Sequence, residues 1–201
     1  MFIKKAMTLC FVILLAGCQS TLMEPITEQV STNVKQGESR VVFMRSAFIG
    51  QAIQASVFKI NNGVPEFIGI ISNDTKVTFD TTPGEHMFMV VGESADFLKA
   101  ELAENKTYYS IVSPRMGFWK ARFSLHPVRN NDKAKFKYDS KDFVEMQTDS
   151  KFVQSGVKAE NWAVKNSASI NEKLSEYLPD WQQKSKEKQQ QATLNKEDFL
   201  Q

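Results

Sequence analysis

Cysteine is nearly absent from this chain of 201 residues, and its two cysteines, Cys10 and Cys18, both lie at the start. Beyond Cys18 there is no thiol for a disulfide, a nucleophile or a zinc site. Histidine is as scarce. His86 and His126 stand some 40 positions apart, and neither belongs to an H-x-x-x-H or C-x-x-C spacing, so no metal site is expected. Neither charge sign dominates, with 25 basic against 23 acidic residues. Without a concentrated basic patch to neutralise phosphates, nucleic acid is not an expected partner. No apolar run approaches the ~20 residues that cross a bilayer as a helix; Ala6 to Ala16 reaches only about 11.

That short run carries the clearest signal in the chain. Lys4 and Lys5 precede it and Leu15-Ala16-Gly17-Cys18 ends it, giving the n-region, h-region and small-residue cleavage site of an export signal. A cysteine just after the cleavage site resembles the lipobox of bacterial lipoproteins. The resemblance implies cleavage between Gly17 and Cys18, a diacylglyceryl thioether on Cys18 and an acylated new N-terminus. Removal of residues 1–17 takes away two lysines and no acid, so the remainder carries 23 charges of each sign. One acyl chain at about 0.8 kcal/mol per methylene holds marginally, whereas two or three hold stably. Gln19 stands where an aspartate is linked with inner-membrane retention, so the same resemblance implies the outer membrane, facing the periplasm.

Four regions are expected: a signal over residues 1–17, the lipidated Cys18 with a tether to residue 38, a β-sandwich domain over 39–128, and a helical extension over 129–201 with a polar tail. Gln19 to Gly37 is polar and aperiodic and contains Pro25; as a coil it would span roughly 24 Å. From Ser39 to Pro127, apolar, β-branched and aromatic runs recur with turn signals every 8 to 12 residues or so, the pattern of an all-β sandwich or small barrel. Strands are predicted over Arg40–Ser46, Ile53–Ile60, Glu66–Ile71, Lys76–Thr81, Glu85–Gly92, Phe97–Leu102, Thr107–Ser113 and Phe118–His126. Asn61-Asn62-Gly63 and Thr82-Pro83-Gly84 are the turn sequences between them. In the last strand Trp119, Ala121, Phe123 and Leu125 alternate with Phe118, Lys120, Arg122 and Ser124, predicting one core face and one wet or partner-facing side.

Helix signals follow Pro127. Ser140 is placed to cap a short helix over Asp142–Gln147. Ile170, Leu174, Tyr177, Leu178 and Trp181 form an amphipathic stripe, with Ser169-x-x-Glu172 as a capping box, although Ala159 to Asn166 also has helical character. Pro179 is expected to kink or break that helix. Gln182 to Gln191 reads as a solvated helix end or disordered tail.

Val57-Phe-Lys-Ile-Asn-Asn-Gly63, Phe67-Ile-Gly69 and Thr82-Pro-Gly-Glu-His86 resemble the PEGA-like β-sandwich pattern. Lys106-Thr-Tyr-Tyr109, Gly117-Phe-Trp-Lys-Ala-Arg-Phe123 and Tyr177-Leu-Pro-Asp-Trp181 extend the likeness to a family of uncharacterised bacterial lipoproteins. The resemblance covers roughly residues 40–181. It implies a mainly β fold, an antiparallel immunoglobulin-like or transthyretin-like sandwich with a C-terminal α-helical extension. It also implies association with the cell envelope, and it carries over no catalytic residue.

Catalytic patterns are weak. Ser155-Gly-Val-Lys158 and Ser185-Lys-Glu-Lys188 fit S-x-x-K, but Ser-Asp-Asn and Lys-Thr-Gly companions are missing, as are G-x-S-x-G and Walker loops. Glu93, Asp96, Glu101 and Glu104 are expected to be solvated rather than a paired acid and base. His86, at a strand start, reads as a satisfied ring with a ligand or proton-switch role as the alternative. The candidate partner surface is Arg115, Phe118, Lys120 and Arg122, suited to anionic headgroups or acidic peptidoglycan; plain edge-strand protection by positive charge is the simpler account. The expected function is a membrane-anchored, non-catalytic binding or structural module of the envelope, without a cofactor. Its partners would be the membrane through Cys18, and envelope proteins or anionic envelope components. The alternatives are a periplasmic enzyme with a scattered site and an accessory subunit of an envelope assembly. Replacing Cys18 by Ser should move the protein from the membrane pellet to the soluble fraction; retention in the pellet would refute the anchor.

Overall fold

Val41-Val42-Phe43-Met44 has no polar residue to mark a wet face, and such a run must be covered on both sides of its sheet. All four are buried, two toward each face. The computed structural model describes residues 22–28, 30–31, 34–47, 50–115, 121–131 and 133–200. In chain order the elements begin with β1 (Glu24–Pro25), β2 (Ser39–Arg45), β3 (Ala55–Asn61), β4 (Val64–Ile71), β5 (Thr75–Thr81) and β6 (Gly84–Val91). Then come β7 (Ala95–Leu102), β8 (Thr107–Arg115), β9 (Arg122–Arg129), β10 (Phe136–Lys137) and helix α1 (Lys141–Asp149). The C-terminal part holds β11 (Lys151–Gln154), α2 (Val157–Lys165), α3 (Ser167–Gln182), α4 (Lys186–Gln191) and β12 (Thr193–Leu194).

The protein is mainly β. One sheet has the order β1-β11-β5-β2-β8-β9-β10 and the other β12-β7-β6-β3-β4. Both are mixed, which corrects the expectation of an antiparallel sandwich. β2 runs parallel to β8, β11 to β5, β10 to β9 and β12 to β7. The reason lies in the path of the chain. It leaves β2 for the second sheet, returns for β5, leaves again, and re-enters as β8 on the other side of β2. Hairpins force antiparallel neighbours, but such long returns do not. The tight turns behave as their residues dictate: Asn62 and Gly63 take φ of 50° and 78°, the left-handed pair that a two-residue hairpin needs.

Three apolar clusters stack in order. The central one lies between the sheets, where Val41, Phe43, Tyr108 and Phe123 meet Val57, Ile70, Phe88 and Leu98. Outside the second sheet, Phe58, Met89, Val91 and Phe97 are covered by Ile170, Leu174 and Trp181 of α3. Outside the first, Val42, Met44, Tyr109 and Ile111 are covered by Phe143 of α1. The stripe on α3 therefore packs on its own chain. Ser140 caps α1 as expected, its Oγ accepting from the Phe143 N–H at 3.3 Å. The capping box does not form, because α3 starts earlier, at Ser167, directly behind α2. Pro179 does not break the helix, which runs on to Gln182.

Two stretches differ from the sequence expectation. The tether does not extend to Gly37: Met23 is buried against Gly69, the Ile70 N–H points at its sulfur at 3.2 Å, and Glu24–Pro25 pair with β11. Apolar Met23 has a core site to fill, which outweighs the polar composition around it. Likewise the polar run after Gln182 forms the exposed α4, and the residues after it return to the fold. β12 joins β7, Tyr108 Oη donates to the Lys196 carbonyl at 2.8 Å, and Asp198 pairs with Arg129 at 3.3 Å.

Trp181 is 2% exposed and lies across Phe97 with ring centroids 6.2 Å apart. Trp181→Ala should lower unfolding stability by about 3–5 kcal/mol. Val144→Ala, on the exposed side of α1, should change it by less than about 0.5 kcal/mol. Urea denaturation of both variants checks the pair.

Candidate functional site

The expected basic surface is only partly within the described residues. Phe118 and Lys120 lie outside them, as do Gly17 and the lipidation candidate Cys18. Arg115 and Arg122 face each other as cross-strand partners where β8 ends and β9 begins. Like charges directly opposite repel. Asp96 on β7 relieves part of this, 3.9 Å from Arg115 Nη2 and 3.2 Å from Lys184 Nζ. Arg122 is exposed, and its charge reaches Tyr177 on α3. Two arginines, a lysine and one shared carboxylate thus make a cationic edge. The wet face expected for this strand does not persist along it: Ser124 is buried, because the outer side of this sheet is itself covered.

Next to that edge is a cleft of about 290 Å³ between the second sheet and helices α2 and α3. Ile70, Val91, Trp162 and Ile170 supply apolar walls, and Glu93, Asn166, Ser169 and Lys173 supply polar groups. Gly92 is needed in its floor, since a Cβ there would stand 2.7 Å from the Ala121 carbonyl oxygen and 2.8 Å from the Phe123 ring. Glu93 Oε2 accepts the Ala121 N–H at 2.7 Å, and Lys173 Nζ donates to Ser169 Oγ at 3.3 Å. The cleft can hold a small, partly apolar group with a polar end.

The remaining candidates resolve into local structure. Ser185 caps α4, accepting from the Lys188 N–H, so the second S-x-x-K pattern is a helix start. Ser155 precedes the α2 cap Gly156, and Lys158 is exposed. Glu93, Glu101 and Glu104 are exposed, as expected, and Asp96 is held in ion pairs. His86 Nε2 lies 2.7 Å from the Thr82 carbonyl, and burial and then Lys59 push its pKa below the usual histidine value.

His126 is the group the sequence did not single out. Its Nε2 lies 2.9 Å from Ser113 Oγ and 3.2 Å from Lys135 Nζ. Burial first, then the Lys135 ammonium, push its pKa down to about 4. The neutral ring with its one lone pair at Nε2 is the form that can accept from the Lys135 ammonium or the Ser113 hydroxyl. Periodicity gave only a residue in a strand; the partners come from the opposite strand and from a loop nine positions on, which no spacing rule links. The cleft was equally hidden, since its polar groups come from separate elements. No protein-family model and no curated protein matches the chain.

The histidine makes stability pH-dependent. Unfolded, the imidazole binds a proton as pH falls through about 6.5; folded, it resists until about 4. The unfolded state thus gains protons first, and stability should fall by up to about 3 kcal/mol between pH 6.5 and 4. His126→Gln should flatten that part of the profile, measured by denaturant titration at pH 7 and 4.5.

Proposed function

We propose that this protein is a lipid-anchored lipoprotein of the bacterial cell envelope that works as a non-catalytic binding or structural module. Leu15-Ala16-Gly17-Cys18 carries the reading. The body supports it in a physical way. The apolar faces of both sheets are covered within the chain, and no helix among the described residues is long and apolar enough to cross a membrane. Two face-to-face sheets suit an immunoglobulin-like or transthyretin-like sandwich of the PEGA-like kind, from which the parallel β2–β8 pair at the centre of the first sheet is a departure. Gln19 favours the outer membrane. The cationic edge at Arg115 and Arg122, continued in sequence by Phe118 and Lys120, is the surface for anionic envelope material, because guanidinium groups pair with carboxylate and phosphate.

An enzyme is the second reading, raised by the Ser169–Lys173 contact at the mouth of the cleft. It is the weaker one. A serine nucleophile needs a base held in a desolvated site, and Ser169 is exposed on its helix.

Metabolic labelling with an alkynyl fatty acid should mark the protein and fail to mark the Cys18→Ser variant. Mass spectrometry should then find a mature chain beginning at acylated Cys18, banding with outer-membrane markers on a density gradient. A chain still carrying Met1, or an unmodified Cys18, would refute the proposal.

A further inference from the structure

Leu22, the first residue described, packs against the central core, and Met23 and Glu24–Pro25 are fixed behind it. Four residue steps separate Leu22 from Cys18. Even fully extended they reach no more than about 14 Å. A body anchored at Cys18 therefore cannot stand off from the bilayer, and one part of its surface must lie against the headgroups.

The strand register identifies that part. β1 runs antiparallel to β11 with Glu24 opposite Gln154, so the chain traced back toward Leu22 runs alongside Ser155 and Gly156 to the start of α2. The Glu24 side chain lies against Gly156, where a Cβ would meet its carboxyl oxygen at 2.0 Å. On α2, Val157 and Val164 are 70% and 73% exposed, more than any other large apolar side chain described. Seven residues apart, they share one face of the helix, with Asn161 between them. Lys158 and Lys165 accompany them, also exposed, and Lys151 is exposed at the first position of β11. Glu160 is the one acidic residue of the helix, and Ala159 and Trp162 occupy its inward side.

We infer that the Val157–Val164 face of α2 is a membrane-contact surface, pressed onto the headgroup layer of the leaflet that holds the lipid on Cys18. This rests on the lipid-anchor reading above. The valines enter the interface beside the acyl chains, and Lys151, Lys158 and Lys165 meet anionic headgroups. The face also fixes orientation. With α2 against the membrane, the body presents its other surfaces to the periplasm rather than swinging freely.

The lipidated protein offers a direct test, because its mature chain has no other free thiol. Single variants Val157→Cys and Val164→Cys, with Val64→Cys at the β3–β4 turn and Val144→Cys on α1 as references, would carry a bimane label. Vesicles of phosphatidylethanolamine and phosphatidylglycerol with brominated acyl chains serve as quencher. The labels at 157 and 164 should be quenched at least twofold more than those at 64 and 144. Equal quenching at all four positions, on protein that floats with the vesicles, overturns the membrane face and leaves the anchor standing. Labels at 157 and 164 that lipid does not quench, but that a second copy of the chain shields, overturn it in favour of a protein contact. A protein that fails to float, or a Cys18 that itself takes the dye, removes the anchor and the face together.

Discussion

Both sheets are apolar on both faces, and the rest of the structure follows from that. A sandwich whose outer faces were polar would be complete after β9. Here Val42, Met44 and Tyr109 on one outer face, and Phe58, Met89 and Phe97 on the other, would stand in water without further chain. At about 1.5–3 kcal/mol for each large side chain buried, those faces cannot be left open in a marginally stable domain. Residues 129–200 supply what is missing. α1 closes one face, α2 and α3 close the other, and the connecting segments supply strands β10, β11 and β12 to the sheet edges. Helices and sheets thus form one stacked body in which neither half buries its apolar residues alone.

Closure at the far end uses polar chemistry. Asp198 is 2% exposed, and burial raises its pKa above the ordinary carboxylate value. Three contacts oppose that shift: the Asn195 N–H at 2.8 Å, the Asn195 amide at 2.9 Å and Arg129 at 3.3 Å. Tyr138, half-buried, donates to the Asp198 carbonyl and accepts from the Tyr109 N–H. A buried pair of this kind adds little net stability beside an apolar alternative, but breaking it leaves an uncompensated charge. It therefore acts as a lock on the position of the last residues, since the described residues contain no cysteine to do so.

What the sequence made legible was local. The seven strands from Arg40 to Ser113 could be drawn from apolar, β-branched and aromatic runs and the turn residues between them. The eighth, expected over Phe118–His126, runs over Arg122–Arg129 among the described residues. Asn62-Gly63 marks its hairpin in the same local way. Pairing between strands was not legible. Nothing in Arg40–Met44 indicates that Thr107–Ile111 lies beside it in parallel, since that depends on where two excursions through the second sheet place the chain. The short strands β1 and β12 are hidden for a related reason: two residues have no periodicity, and their partners supply the order. Arg115 and Arg122 could be named, yet Asp96 and Lys184 beside them come from β7 and the end of α3. The His126 cluster lay beyond reach because its chemistry arises from contact between elements.

Burial of Met23 changes the meaning of the lipid motif. A long coil after Cys18 would make the anchor a leash, and the orientation of the body would then be arbitrary. If Cys18 carries lipid as proposed, only four residue steps separate it from Leu22, and attachment and orientation would become one constraint, set by where β1 enters the sheet. β1 pairs with β11, and β11 leads through Ser155 and Gly156 into α2, so the helix with the exposed valines sits beside the start of the described chain. An edge strand of two residues contributes little to stability by itself. Its consequence is geometric: it fixes where the described chain begins, and under the proposed anchor at Cys18 that position would decide which side of the body meets a bilayer.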